Sequence, residues 1–234
     1  MPKIPGKFLK YNELPDFNDD EIESGRPISQ GQLDGAKIYS NREEYTKHLP
    51  KGMKYMEIGV AWGYYSELVC NNAQPSEIVL LDPFNSDLKC WSWRKFGECK
   101  CTNMKHELLF TPETNEQYIK NLFSKYGDVR TIKGLAPEDL PDDSSYDYIY
   151  IDMTNDRVEI RDVLKKTSQM VKPGGIIGLN DYVIYDGIIE DKPYGTYQAV
   201  NEFLHYNKNW SVDAIALHSV GFYDIYLKKD NYEK

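Results

Sequence analysis

The stretch KYMEIGVAWGYYSELV (residues 54–69) decides how the rest of the chain is read. Residues 54–58 form a short run, Gly59 and Gly63 follow four apart, and an apolar-spaced run begins at Tyr64. That order predicts a strand, a tight glycine turn and a helix start, because glycine accepts backbone conformations that side chains resist. A helix opening on such a turn offers unpaired N–H groups and the positive end of its dipole to a ligand. Glu57, two residues before the first glycine, adds an acid beside it.

The same strand-then-helix order recurs downstream. EIVLLD (77–82) is a short apolar run between turn residues, as expected of a buried parallel strand, and ends in Asp82, 25 residues beyond Glu57. Thr111-Pro112-Glu113 spells a helix start, and that helix is expected to reach about Tyr126, with Gly127 at its end. VRTIK (129–133) is a third strand and YDYIYID (146–152) a fourth, the latter again ending in an acid, Asp152. A helix over about 156–171 has Ile160, Val163, Leu164, Thr167, Met170 and Val171 on one face, and Pro173-Gly174-Gly175 is expected to stop it. IIGLND (176–181) is a fifth strand, ending in Asn180-Asp181. A helix over about 195–206 then leads to SVDAIAL and GFYDIYLKK, whose short join predicts an antiparallel pair. The fold class is therefore α/β: a Rossmann-like, doubly wound, mostly parallel seven-stranded sheet with a terminal antiparallel strand.

Upstream, residues 1–36 are rich in proline and acids with little periodicity, which predicts an irregular arm. Ser40 followed by Glu43 is a capping-box pattern for a short helix over about 41–48. The expected organisation is an arm and short helix over 1–49 and a ligand-binding domain over 50–229, with an insertion at 84–111 that fits neither period.

The 234 residues suffice for one α/β domain with a sizeable core. The formal charge of −9 argues against a nucleic-acid partner, since phosphate contacts need many Lys and Arg. No apolar run approaches the ~18 residues of a membrane helix, and the first residues lack a secretory pattern. A cytoplasmic protein with its four cysteines reduced is the expectation, with no membrane partner. Nothing in the pattern fixes an oligomeric state.

In doubly wound sheets ligands sit at the C-terminal strand ends, near the switch in strand order. Gly59, Gly63, Asp82, the loop 134–136 and Asp152 are then the candidate residues. An acid ending the second strand suits the ribose of either NAD or S-adenosylmethionine. A pyrophosphate calls for the G-x-G-x-x-G spacing, and here Ala61 and Trp62 occupy the middle. A looser turn with acids at 57 and 152 suits a cationic sulfonium better.

At these residues the chain resembles the class I S-adenosylmethionine-dependent methyltransferases. EIGVAWG is similar to their first motif, LLDPF to the acidic second, KGLAPEDL to the loop along adenine, and YDYIYID and VKPGGIIGLNDY to the fourth and fifth. The resemblance implies cofactor contacts by Glu57, Gly59, Gly63, Ser66, Asp82, Pro83, Gly134, Leu135, Ala136 and Asp152. The NDY after the fifth strand and the YGTYQAVNEFL helix resemble the macrocin and catechol O-methyltransferase branches, which act on small-molecule acceptors. Those branches hold a divalent metal on acids ending the fourth and fifth strands, so the resemblance implies Mg²⁺ on Asp152, Asn180 and Asp181, which are also the catalytic candidates. The alternatives are a cofactor-side acid at 152 and a turn pair at 180–181. One departure stands out: the macrocin-like branch has I-D-x-D-H-x-Y where this chain reads IDMTNDR, with Thr154, Asn155 and Arg157 replacing acid, His and Tyr. A non-catalytic cofactor-binding protein and a nucleic-acid methyltransferase are the competing readings.

The segment KCWSWRKFGECKCTNMKH (89–106) is the least generic part of the chain. As a substrate lid, Trp91 and Trp93 would stack on a ring and Arg94 attract an anion. Cys90, Cys99, Cys101 and His106 are a second possibility as zinc ligands, although the spacing is not a standard one. An ordinary surface segment is the third. Tyr182 and Tyr185, after the fifth strand, are further substrate candidates.

Overall fold

The structure, a computed structural model, describes residues 27–84, 112–186, 192–218 and 221–231. A short helix α1 (Gln30–Leu33) and strand β1 (Lys37–Tyr39) precede helix α2 (Arg42–Thr46). The strand-turn-helix is β2 (Lys54–Ile58) and α3 (Tyr64–Ala73). Then come β3 (Glu77–Asp82), α4 (Pro112–Phe123), β4 (Asp128–Lys133), β5 (Tyr146–Ile151), α5 (Arg157–Met170) and β6 (Val171–Leu179). A two-residue ribbon pairs β7 (Tyr185–Asp186) with β8 (Lys192–Pro193), and α6 (Thr196–Tyr206), β9 (Trp210–Ala216) and β10 (Asp224–Lys229) complete the order.

The main sheet has eight strands in the order β1-β9-β10-β6-β5-β2-β3-β4. Only β10 runs antiparallel to its neighbours, and the direction of winding reverses between β2 and β5. The seven expected strands are all present. The eighth, β1, pairs in parallel with β9 as Lys37↔Ala214, Ile38↔Ile215 and Tyr39↔Ala216. At three residues it is too short to show a period, so the sequence gives no sign of it.

Both faces of the sheet are covered, and so the central strands read as unbroken apolar runs. On one face Met56, Ile58, Val79, Leu81, Ile149 and Ile151 pack with Ile160, Val163 and Leu164 of α5 and Ala199, Val200 and Leu204 of α6. The alternate residues, Tyr55, Ile78, Leu80, Tyr148, Tyr150 and Tyr226, meet Tyr45, Tyr65, Val69, Ile119 and Phe123 on the other. That second face is dominated by tyrosine: Tyr65 stacks on Tyr150 and Tyr45 on Tyr226, both with ring centroids 3.5 Å apart.

Two local expectations are corrected. The cap of α2 is Asn41, whose side-chain oxygen accepts from Glu44 N at 2.8 Å, not Ser40 with Glu43. Pro173-Gly174-Gly175 does not separate α5 from the next strand but lies inside β6, where the pairing with β5 slips between Tyr146 and Tyr148. Strand pairing resumes at Val171 because α5 ends on Met170 and the irregular register absorbs the proline. The start of α5 is as its sequence predicts: the Asp156 carboxylate accepts from Val158 N and Glu159 N at 2.8 and 3.1 Å. Residues 1–26 of the expected arm, and the expected insertion apart from Phe84, lie outside the described residues. No helix among the described residues is long and apolar enough to cross a membrane.

Candidate functional site

The winding reversal falls between β2 and β5, the place where sheets of this kind open a crevice at their C-terminal strand ends, and the two strand ends touch there. Asp152 N donates to Ile58 O at 2.8 Å, and Gly59 N donates to Leu81 O at 2.9 Å. Gly59 has φ +84°, and a Cβ at that position would lie 1.8 Å from Asp152 O. No other residue fits between the strands. Gly63, at φ +76°, caps α3 where a Cβ would press on Phe123 at 2.7 Å. Between them Ala61 is itself left-handed, at φ +45°.

Asp82 shapes this turn. One carboxylate oxygen accepts from Val60 N and Ala61 N at 2.8 and 3.0 Å, and the other accepts from Phe84 N at 2.6 Å. The acid expected to meet a ribose thus fastens the glycine turn to the end of β3. Gly134 N donates to Asp82 O at 3.2 Å, which draws in the loop after β4. In that loop Asp139 accepts from Leu135 N at 2.8 Å, and Leu135 is left exposed beside Ala136. Pro83 is partly buried between Asp82 and Phe84.

Glu57 sits below the crevice, on the tyrosine face and 1 % exposed. It accepts from Ser66 Oγ and, at 3.2 Å, from Tyr55 OH. Burial pushes its carboxyl up to about 8, against the pull of those two hydroxyls, and the charges of Asp152 and Asp82 push the same way. Glu57 and Ser66 therefore form part of the floor behind the turn.

Opposite the turn, side chains from the ends of β5 and β6 and the start of β10 meet a fourth, Arg42. Asn180 Nδ2 donates to Asp152 Oδ1 at 2.8 Å. Arg42 Nη2 donates to Asn180 Oδ1 at 2.5 Å and to Asp224 Oδ1 at 2.9 Å. Asp224, buried, also accepts from Tyr150 OH at 2.9 Å and Tyr226 OH at 3.1 Å. Burial raises the carboxyls of Asp152 and Asp224 above the usual range, while the Arg42 guanidinium pulls both back. Asp181 follows in a left-handed conformation, φ +55°.

Arg42 and Asp224 were not among the residues singled out from the sequence. Each nonetheless left a local sign: Arg42 is a cation at the first position of a helix, against the dipole, and Asp224 is an acid directly before the apolar run Ile225-Tyr226-Leu227.

The residues do not fit the divalent site expected from the resemblance. Asn180 has one atom to give a cation, its amide oxygen, and Arg42 donates to that atom; its amide nitrogen faces Asp152. Among the described residues no three His, Cys, Asp or Glu side chains are placed to hold a metal ion. The departing IDMTNDR run is spent on structure: Thr154 Oγ1 accepts from Asp156 N, Asn155 O accepts from Gly195 N, and Arg157 pairs with Glu202 at 2.9 Å.

Tyr182 turns away onto α6, its OH donating to Asn201 Oδ1 at 2.7 Å, whereas Tyr185 is half exposed in β7. Trp91, Trp93 and Arg94, and Cys90, Cys99, Cys101 and His106 of the alternative zinc reading, lie outside the described residues.

The sheet order with its antiparallel strand, and the glycine turn at the winding reversal, make a Rossmann-like α/β fold. Solved structures of S-adenosylmethionine-dependent methyltransferases are similar to it in fold. The pyocyanin biosynthetic protein PhzM superposes with a TM-score of 0.54 at 12% identity, over 81% of this chain and 54% of PhzM. A ribosomal protein L11 methylase from Lactobacillus delbrueckii subsp. bulgaricus gives 0.52 at 9% identity, over 81% and 77%. A SAM-dependent methyltransferase from Aquifex aeolicus gives 0.50 at 13% identity, over 91% and 99%. The chain thus spans about half the length of PhzM and nearly all of the Aquifex protein. At these identities the likeness is one of fold. No protein-family profile matches the chain, nor does any curated protein sequence.

Proposed function

We propose that the protein binds S-adenosylmethionine in the crevice between β2 and β5 and transfers its methyl group to an oxygen of a small-molecule acceptor. The observation that carries the cofactor half is the turn between Gly59 and Gly63. Its backbone is forced tight against Asp152, yet Ala61 and Trp62 keep side chains where a pyrophosphate-binding turn would be bare. The ligand then is a nucleoside without phosphates, and the carboxylate of Asp152 faces its cationic sulfur. Gly134, Leu135 and Ala136 flank the adenine, and Asp82 and Pro83 hold the turn that receives the amino-acid end.

The acceptor half rests on an apolar rim. Ile184 and Tyr185 after β6, Leu217 after β9 and Tyr223 before β10 are exposed at the same end of three neighbouring strands. Such a rim favours an acceptor with an apolar or aromatic body over a polyanion, and the net charge of −9 points the same way.

In the transfer, the O–CH₃ bond forms as the S–CH₃ bond breaks, and neutral S-adenosylhomocysteine leaves. The acceptor hydroxyl proton goes to the Asp152 carboxylate, whose proton affinity burial raises above that of an exposed aspartate. Asn180 orients that carboxylate, and alignment of oxygen, methyl and sulfur supplies the rest. Asp181 flanks the acceptor oxygen.

Calorimetry with S-adenosylhomocysteine, followed by transfer of labelled methyl to a panel of phenols, catechols and sugars, tests this. Stoichiometric binding with turnover on one class, abolished by Asp152→Asn, is the expected result. No binding would overturn the cofactor assignment. Tight binding with no turnover on small molecules, RNA or protein would leave a cofactor-binding protein in place of an enzyme.

A further inference from the structure

We propose that Arg42 is the resident cation of this site, standing where the metal-dependent relatives resembled by the sequence place a divalent ion. The claim goes beyond the proposed methyl transfer, and only the consequence for cofactor charge rests on that reading.

Arg42 comes from outside the ligand-binding sheet strands, on a helix of five residues. Its position is nevertheless fixed from behind. Asn41 caps the helix, Tyr45 stacks on Tyr226, Tyr45 OH donates to Asp213 Oδ2 at 3.2 Å, and β1 anchors the preceding residues on β9. The guanidinium lies 5.9 Å from the Tyr65 ring centroid and is 20% exposed. A guanidinium at the first helical position opposes the helix dipole, and two strong acceptors compensate.

One of those acceptors, Asn180 Oδ1, belongs to the expected metal set, and the other, Asp224 Oδ1, is a buried carboxylate next to it. One terminal nitrogen of Arg42 serves both Asn180 Oδ1 and Asp224 Oδ1. With its oxygen so engaged, the Asn180 amide is locked with its nitrogen toward Asp152 Oδ1. A metal at Asn180 would have to displace Arg42 and sit beside an uncompensated guanidinium. Conversely, removing Arg42 leaves the buried Asp224 carboxylate, the part-buried Asp152 carboxylate and a freed amide oxygen, an arrangement that attracts hard cations.

Asp152 and Asp224 outnumber Arg42 by one charge, and Asp181 just beyond the end of β6 adds a further acid, so this end of the sheet keeps a negative excess that a sulfonium cation would meet. Arg42 is thus a positioning residue, acting on Asp152 through Asn180.

The test uses Mn²⁺ alone, titrated into the full chain and followed by the paramagnetic resonance of the free ion. Wild type, Arg42→Ala and Arg42→Lys are compared. Wild type and Arg42→Lys are expected to leave Mn²⁺ free, and Arg42→Ala to bind one ion roughly tenfold or more tightly than wild type, as an acid pair without its cation requires. One Mn²⁺ bound by wild type as tightly as by Arg42→Ala overturns the inference. So does absence of binding by all three. Should Arg42→Ala not fold, the decision rests on wild type and Arg42→Lys: a bound ion in either refutes it, and free Mn²⁺ in both supports it. S-adenosylhomocysteine binding measured on the same samples reads the cofactor assignment separately, so failure of one is not mistaken for failure of the other.

Discussion

Replacing Glu57 by Gln should make the protein more stable at alkaline pH and leave it nearly unchanged in acid. Glu57 has a carboxyl pushed from its ordinary 4.5 to about 8, chiefly by burial. The folded state therefore keeps a proton that the unfolded chain releases above pH 4.5. Stability drawn from Glu57 is complete below that pH, falls as pH rises, and is fully lost once pH passes about 8. The span from 4.5 to about 8, at 1.36 kcal/mol per pH unit, amounts to about 5 kcal/mol. That is a large share of the ~5–15 kcal/mol that holds a domain together. Gln mimics the protonated acid: its amide nitrogen can donate to Ser66 Oγ or Tyr55 OH, the hydroxyls that now face Glu57. Urea unfolding of both proteins from pH 5 to 9 provides the assay, and the difference between them cancels every group they share. The curves should coincide to about 1 kcal/mol at pH 5 and diverge upward for Glu57→Gln, levelling off near pH 8. A difference that stays flat across the range, or one that favours wild type at pH 9, would refute the reasoning.

Gly59→Ala should destabilise by more than about 3 kcal/mol in the same assay, since its Cβ would meet Asp152 O at 1.8 Å in a left-handed conformation. Asp82→Asn turns an acceptor for three backbone amides into a group with a donor on one side, and should cost about 2 kcal/mol. Tyr182→Phe should cost about 1 kcal/mol through the lost bond to Asn201 and leave S-adenosylhomocysteine affinity unchanged; a tenfold drop in affinity would put Tyr182 in the ligand pocket instead. Cys70 is buried with its thiol pushed up to about 12, so iodoacetamide at pH 8 should modify it only after unfolding, as mass spectrometry of the peptide can show.

Much of the architecture was legible because it rests on local pattern. The glycine pair at 59 and 63, the apolar runs at 77–82 and 146–151 and the periodic face of α5 each carry their structure within a dozen residues. The illegible parts depend on contacts between distant segments. Nothing near Asp82 says that its oxygens are taken by Val60, Ala61 and Phe84 rather than left for a sugar. β1 has no period of its own and exists because β9 offers an edge. Asn180 and Asp181 matched a motif for ligating a metal, yet the decisive group, Arg42, lies 138 residues earlier. Tyr182 followed the strand in the place where a pocket would be, but the rotation of its side chain onto α6 is set by Asn201, on a later helix.

The pairing of Arg42 with Asp224 also bears on the order of assembly. The two are 182 residues apart, so a segment made early on the ribosome has no partner until the closing strand of the sheet has emerged. Closing so long a loop comes late, after the local βα units have condensed. Until then Arg42 lacks its Asp224 partner, and the chain of contacts through Asn180 to Asp152 is held from one side only. The half of the crevice around Gly59 can form as synthesis proceeds, while the half around Asp152 is completed in a single late docking step. Ligand competence should therefore arrive abruptly, at the moment when early and late segments of the chain come together.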